Sequence, residues 1–263
     1  MRTVAQLTGD LAALGVRPDR PVMVHASLRK IGPVEGGPQG VIAALDAATG
    51  PDGGWMMVLG ADNDWDWVNE RPEAERAALL ADAVPFDALI TPADEDVGHL
   101  AEAMRQHPGT RVTDNPEGRF AARGALAATL LRDPPWDDYF GRGSPLDHLC
   151  ALDGQVLRLG ADPDTVTLLH YAEYLAPVAD KRRVVRHRRV AGPDGPIIRT
   201  VSCLDDSDGI VAWAGEDYFA TILKIYLAEN RGARARVGGA DSELLDARDL
   251  VAFGADWMGR HLR

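Results

Sequence analysis

Three short apolar runs constrain this chain most: Pro21-Val22-Met23-Val24-His25-Ala26-Ser27, Trp55-Met56-Met57-Val58-Leu59 and Gln155-Val156-Leu157-Arg158-Leu159-Gly160. Each leads through a loop into a helical pattern. A run of this length that does not alternate with polar residues reads as a strand buried on both faces. Such strands joined to helices predict an α/β layered fold with a largely buried sheet.

The intervening patterns are helical. Val4, Leu7, Leu11 and Leu14 recur at helix spacing, with Thr3 as N-cap and Gly15 as stop. Further helices are expected over Gln39–Ala48, Pro72–Asp82, Gly98–His107 and Ala125–Arg132, and one carrying His170. The last third changes character. Val184–Val190 and Ile197–Cys203 flank the turn signal Pro193-Asp194-Gly195, so a C-terminal β-hairpin is expected, followed by helices near Glu216–Glu229 and Ser242–Arg260. There is no internal repeat and no linker, so residues 1–263 are read as one domain.

Composition excludes several classes. With 46% hydrophobic residues the chain is globular, not disordered. Lys and Arg number 28 against 40 Asp and Glu, a net charge of −12, which argues against nucleic acid and anionic membranes as partners. Cys150 and Cys203 form no spaced framework, and a reducing, cytoplasmic compartment is expected. The start, Met1-Arg2-Thr3-Val4-Ala5-Gln6, lacks an apolar core for a signal peptide, and no run approaches a membrane span.

The stretch from Gly160 to Glu173 carries the clearest chemical signal. A strand ends in glycine, a polar loop follows, and a helix begins near Thr167. His170 and Glu173 are three apart and share a helix face. A carboxylate beside an imidazole fixes its tautomer and raises its basicity, which suits proton removal from an amine or hydroxyl. Thr167, one turn earlier, could face the same pocket. The alternative is a surface ion pair of little worth. No third ligand stands near for zinc, so no metal is expected.

The loop from His25 to Gly37 follows the first strand and is rich in glycine, with Arg29 and Lys30 adding positive charge. It reads either as an ordinary turn or as a cradle for phosphates. From Ala61 to Glu102 there are twelve acidic residues against two basic ones. The Asp62-Asn63-Asp64-Trp65-Asp66-Trp67 run could hold a polycation by charge and cation–π contact, or could be solvated surface. Lys181–Arg189 is basic but interleaved with valine, and reads as a solvated strand or a contact to a phosphate-bearing cofactor.

Several motifs in register resemble the aminoglycoside 3-N-acetyltransferases, a family distinct from the common GNAT fold. They are Val24-His25-Ala26-Ser27-Leu28 with Val34-Glu35-Gly36-Gly37, Gly143-Ser144-Pro145-Leu146, and Leu157-Arg158-Leu159-Gly160 with Asp164, Thr167, Leu169-His170 and Glu173. A weaker match lies at Val237-Gly238-Gly239-Ala240 and Ala247–Val251. Where the family has other residues, this chain has Val58, Asn115, Val166 and Leu168.

The resemblance implies a layered α/β/α sandwich with a central mixed sheet and acetyl-CoA as donor. It makes His170 the catalytic histidine and Glu173 its orienting glutamate. Coenzyme A is expected near Ser27, Leu28, Arg29, Gly36 and Gly37, with Phe120 and Ala121 lining the same channel. The implied acceptor is the 3-amino group of an aminoglycoside, a polycation that an acidic pocket would concentrate. Transfer is expected to be direct, with Thr167 or a nearby backbone N–H stabilising the oxyanion. Asp62, Asp64, Asp66 and Asp217 are the expected acceptor-side acids. The departures leave open another small amine or amino sugar as acceptor. A third reading is non-catalytic sequestration of a cation.

Overall fold

The computed structural model describes residues 1–60 and 64–262. A central sheet runs through the chain in the order β3-β4-β2-β1-β5-β9-β8. These strands are β1 (Val22–Ala26), β2 (Gly54–Val58), β3 (Arg111–Val112), β4 (Phe120–Gly124), β5 (Gln155–Leu159), β8 (Ala233–Val237) and β9 (Ala240–Asp246). The pairs of β1 with β2 and with β5 are parallel and the other pairs antiparallel, so the sheet is mixed as expected. A separate antiparallel pair, β6 (Arg183–Val190) and β7 (Ile197–Leu204), is the expected hairpin.

Strand alternation divides the core into two layers. Val22, Val24, Trp55, Met57, Leu157 and Leu159 face α1 (Val4–Leu14), α3 (Pro38–Thr49) and α5 (His99–Arg105). On the other face, Met23, Met56, Phe120 and Val156 meet α6 (Ala127–Leu130), α7 (Pro145–Ala151), α8 (Leu168–Leu175), α9 (Tyr218–Ala228) and α10 (Ala247–His261). The result is the α/β/α sandwich. Two further helices, α2 (Leu28–Ile31) and α4 (Glu73–Leu79), lie in the loops after β1 and β2.

Local sequence explains the ends. Thr3 and Gln6 form a capping box at the start of α1, and Gly15 ends it at φ 111°. Ser27 caps α2, Ser144 caps α7, Asp217 caps α9 and Asp246 caps α10 through side-chain oxygens. One element differs from expectation, and another carried none. Ser242–Asp246 is strand, not helix, because its alternating residues pair along β5; α10 starts only after the Asp246 cap. Phe120–Gly124 is strand although its Ala-Ala-Arg interior has low β-propensity, because both faces are covered and β2 supplies the ladder.

The basic run is strand β6, but it is not a solvated one. Arg186 and Arg188 turn inward, where Arg188 pairs with Glu117 and Asp66, and Arg186 lies 2.7 Å from Asp206.

Candidate active site

Two cavities open at the carboxyl ends of the parallel strands, where open α/β sheets place ligands. The first, about 460 Å³, is walled by the ends of β1 and β2, by Ser27, Leu28 and Arg29, and by Gly160, Asp162, Thr165 and Thr167. The second, about 290 Å³, is walled by Asp164, His170 and Glu173 of the same segment, and by Asp206, Asp208, Trp213, Asp217, Tyr218 and Phe219. The stretch from Gly160 into α8 therefore borders both. Gly160, at φ 65°, permits this turn, since a Cβ there would lie 2.8 Å from the Lys30 Cβ.

His170 and Glu173 meet as expected. His170 Nδ1 lies 2.8 Å from Glu173 Oε2, and the other carboxylate oxygen accepts the Tyr218 hydroxyl. The glutamate is 1% exposed and the histidine side chain 19%. The imidazole stacks on Phe140 at 4.9 Å and 10°, and meets Phe219 edge-on at 4.7 Å. Burial disfavours the imidazolium. The Glu173 charge and hydrogen bond, with Asp206 and Asp217 behind them, outweigh burial and hold His170 above its ordinary 6.5. With Nδ1 engaged, Nε2 is the nitrogen left for chemistry.

Thr167 sits one turn before His170 and faces the first cavity, and its carbonyl accepts the His170 N–H at 3.0 Å. Ser27, Leu28 and Arg29 line that cavity too. Lys30 is held by Asp162 at 2.7 Å at the same edge. Gly36 and Gly37 lie at the N-terminal end of α3, Gly37 as its N-cap. Phe120 and Ala121 are wholly buried one strand further in, and their β2 partners Val58 and Met57 are the residues that wall the cavity. Phe120 instead packs edge-on against Phe140, 5.9 Å away, behind the His170 ring. His25 also borders this cavity; burial and then the Arg158 charge push it down to about 3, so it is neutral.

Of the four expected acceptor-side acids, Asp217 walls the second cavity, while its carboxylate also caps α9 through Ala220 N–H. Asp66 is the partner of buried Arg188. Asp64 is exposed and is not among the described walls. Asp62 lies outside the described residues. Elsewhere in the acidic stretch, Glu102 binds Arg105 and the Ala93 N–H, and Asp87 and Asp94 turn their own loops.

Asp206 and Asp208 also wall the cavity, and the Asp205-Asp206-Ser207-Asp208 cluster after a hairpin strand is the sequence signal for them. Phe140, Phe219 and Tyr218 carried no signal beyond ordinary core aromatics. Burial pushes both cysteines up to about 12, so neither is a ready thiolate.

A family model described as aminoglycoside 3-N-acetyltransferase matches residues 23–259. The chain is 37% identical to aminoglycoside N(3)-acetyltransferase VII of Streptomyces paromomycinus, covering 99% of this chain and 92% of that one. Among solved structures it is similar to AAC-IIIb in binary complex with CoASH, at TM-score 0.91 and 37% identity over 98% of this chain and 96% of that one. It is also similar to sisomicin-bound AAC-VIa, at TM-score 0.89 and 36% identity over 98% of each chain.

Proposed function

The chain belongs to the aminoglycoside 3-N-acetyltransferase family, and from that premise we propose that it transfers the acetyl group of acetyl-CoA to the 3-amino group of an aminoglycoside. His170, oriented by Glu173, takes a proton from the acceptor amine as its nitrogen bonds to the acetyl carbon and the thiol sulfur leaves. Transfer is direct. Cytoplasm is the proposed compartment.

One observation carries this reading: a single segment walls both cavities, with His170 on the acid-lined one and Thr167 on the other. The first cavity suits the donor. Ser27, Leu28 and Arg29 flank it, and Thr167 or a neighbouring N–H would stabilise the oxyanion; Gly36 and Gly37, at the N-terminal end of α3, lie outside its described walls and would meet the phosphates beyond it. The second suits a polycation, with Asp164, Asp206, Asp208 and Asp217 around the base. The relatives solved with CoASH and with sisomicin support both assignments. The high thiol pKa values support transfer without a cysteine intermediate.

The test is His170→Ala, assayed by thiol release with acetyl-CoA and a panel of aminoglycosides. Turnover should fall about 10²–10⁴-fold in a folded protein. Near-normal turnover removes His170 from the mechanism, and a wild-type protein that is silent on the panel but active on another amine rejects the acceptor class.

A further inference from the structure

Glu173 is buried, and both of its carboxylate oxygens are committed: Oε2 to His170 Nδ1 at 2.8 Å, and Oε1 to the hydroxyl of Tyr218. A buried carboxylate that can rotate would present either oxygen, or neither, to the imidazole. What prevents rotation is on α9, not on α8. We infer that Tyr218 is a positioning residue for acetyl transfer: its hydroxyl, donated to Glu173 Oε1, fixes the carboxylate so that Oε2 receives His170 Nδ1–H and Nε2 is presented as the base.

The surroundings of Tyr218 fit this role. It is the first residue of α9, whose N-cap is Asp217. Its ring is buried and lies edge-on to Phe219 at 5.1 Å, and Phe219 in turn meets His170 edge-on. The phenol proton is given to Glu173, where the hydroxyl donates to Oε1. Gly209 leaves room for the hydroxyl end, since a Cβ there would lie 3.1 Å from the oxygen. Burial, with the Glu173 charge second, pushes the phenol well up, so it stays a donor throughout the working pH range. A phenol used only for packing would have no reason to place its proton on the buried carboxylate that orients a general base.

The inference rests on His170 and Glu173 acting as proposed, and the test separates the two. Tyr218→Phe keeps the ring and removes only the donor. It should lower kcat about tenfold or more while KM for acetyl-CoA stays within about twofold and KM for the aminoglycoside changes less than kcat, because a hydrogen bond to a charged group is lost while the ring that walls the second cavity is kept. Glu173→Gln alone should cost about 10²-fold, and adding Tyr218→Phe to it should cost less than about twofold more, since the two act through one carboxylate. Nitrogen NMR of the His170 ring gives a readout free of turnover. The wild type should hold the proton on Nδ1, and Tyr218→Phe should show a mixture of tautomers.

Full kcat with an unchanged tautomer in Tyr218→Phe overturns the inference while Glu173→Gln still supports the base pair. An equal loss on both backgrounds also overturns it, since Tyr218 would then act independently of Glu173. Normal turnover by His170→Ala and Glu173→Gln removes the base pair itself, and the inference with it.

Discussion

His170 Nδ1 lies 2.8 Å from Glu173 Oε2 inside one helix, with the carboxylate closed off from water. Both partners stand on α8, and Tyr218 of α9 holds the far oxygen of the carboxylate. The net effect of the pairing on the imidazole is upward, against the opposing pull of burial.

The sign of the pH dependence follows. A base works deprotonated, so activity rises as pH climbs through the His170 pKa. The acid limb of kcat/KM should bend above 6.5. Glu173→Gln removes the main raising influence and should move the bend downward. In kcat, a bound polycation opposes the imidazolium, so that limb should lie at lower pH than the one in kcat/KM. Paired profiles over pH 5 to 9 measure both.

Asp217 and Asp208 wall the second cavity, the proposed acceptor side, from the loop before α9. Asp208→Asn should raise KM for the aminoglycoside several-fold and leave KM for acetyl-CoA nearly unchanged. The effect should shrink as salt is added, because partly exposed charges are screened. Asp217→Asn should do the same with a small added loss of stability, as its cap on Ala220 weakens. Equal changes in both Michaelis constants would remove these acids from the acceptor side.

Arg29 borders the first cavity, the proposed donor side, and is exposed, whereas Lys30 is tied to Asp162. Arg29→Ala should raise KM for acetyl-CoA about 3–10-fold and spare the aminoglycoside. Lys30→Ala should do less, because its charge is already answered. A larger effect at Lys30 would reverse the assignment.

Arg188 is 4% exposed between Glu117 and Asp66. Arg188→Met leaves the Glu117 carboxylate buried without its main partner and should cost about 3–5 kcal/mol, visible as a clear fall in Tm. Asp66 is 43% exposed, so Asp66→Asn should cost under about 1 kcal/mol. Its KM for the aminoglycoside should stay near wild type. A several-fold rise there would instead return Asp66 to the acceptor role expected from the Asp-Trp run.

The sheet centre and the base pair were legible because their signals are local. Val22–Ala26 and Gln155–Leu159 are apolar on both faces, and His170 with Glu173 needs only helical spacing. The antiparallel flanks were less legible. Phe120–Gly124 and Ser242–Asp246 become strands through partners distant in the chain, against weak or helical local preference. The charge pattern misled for the same reason. Asp66 and Arg188 are 122 residues apart, and neither shows in sequence that it will meet the other. Asp206, Asp208 and Tyr218 acquire their meaning only when the hairpin and α9 fold over α8.

The division of the cavity walls separates what can drift from what cannot. The proposed donor side is floored by the ends of β1 and β2, which also carry the core, and a change there disturbs the sheet. Much of the acceptor side is built from the loop between β7 and α9, which carries Asp206, Asp208, Trp213 and Asp217. On the proposed assignment, changes confined to that one loop would alter which acceptor is taken and leave the donor side and the His170–Glu173 pair in place.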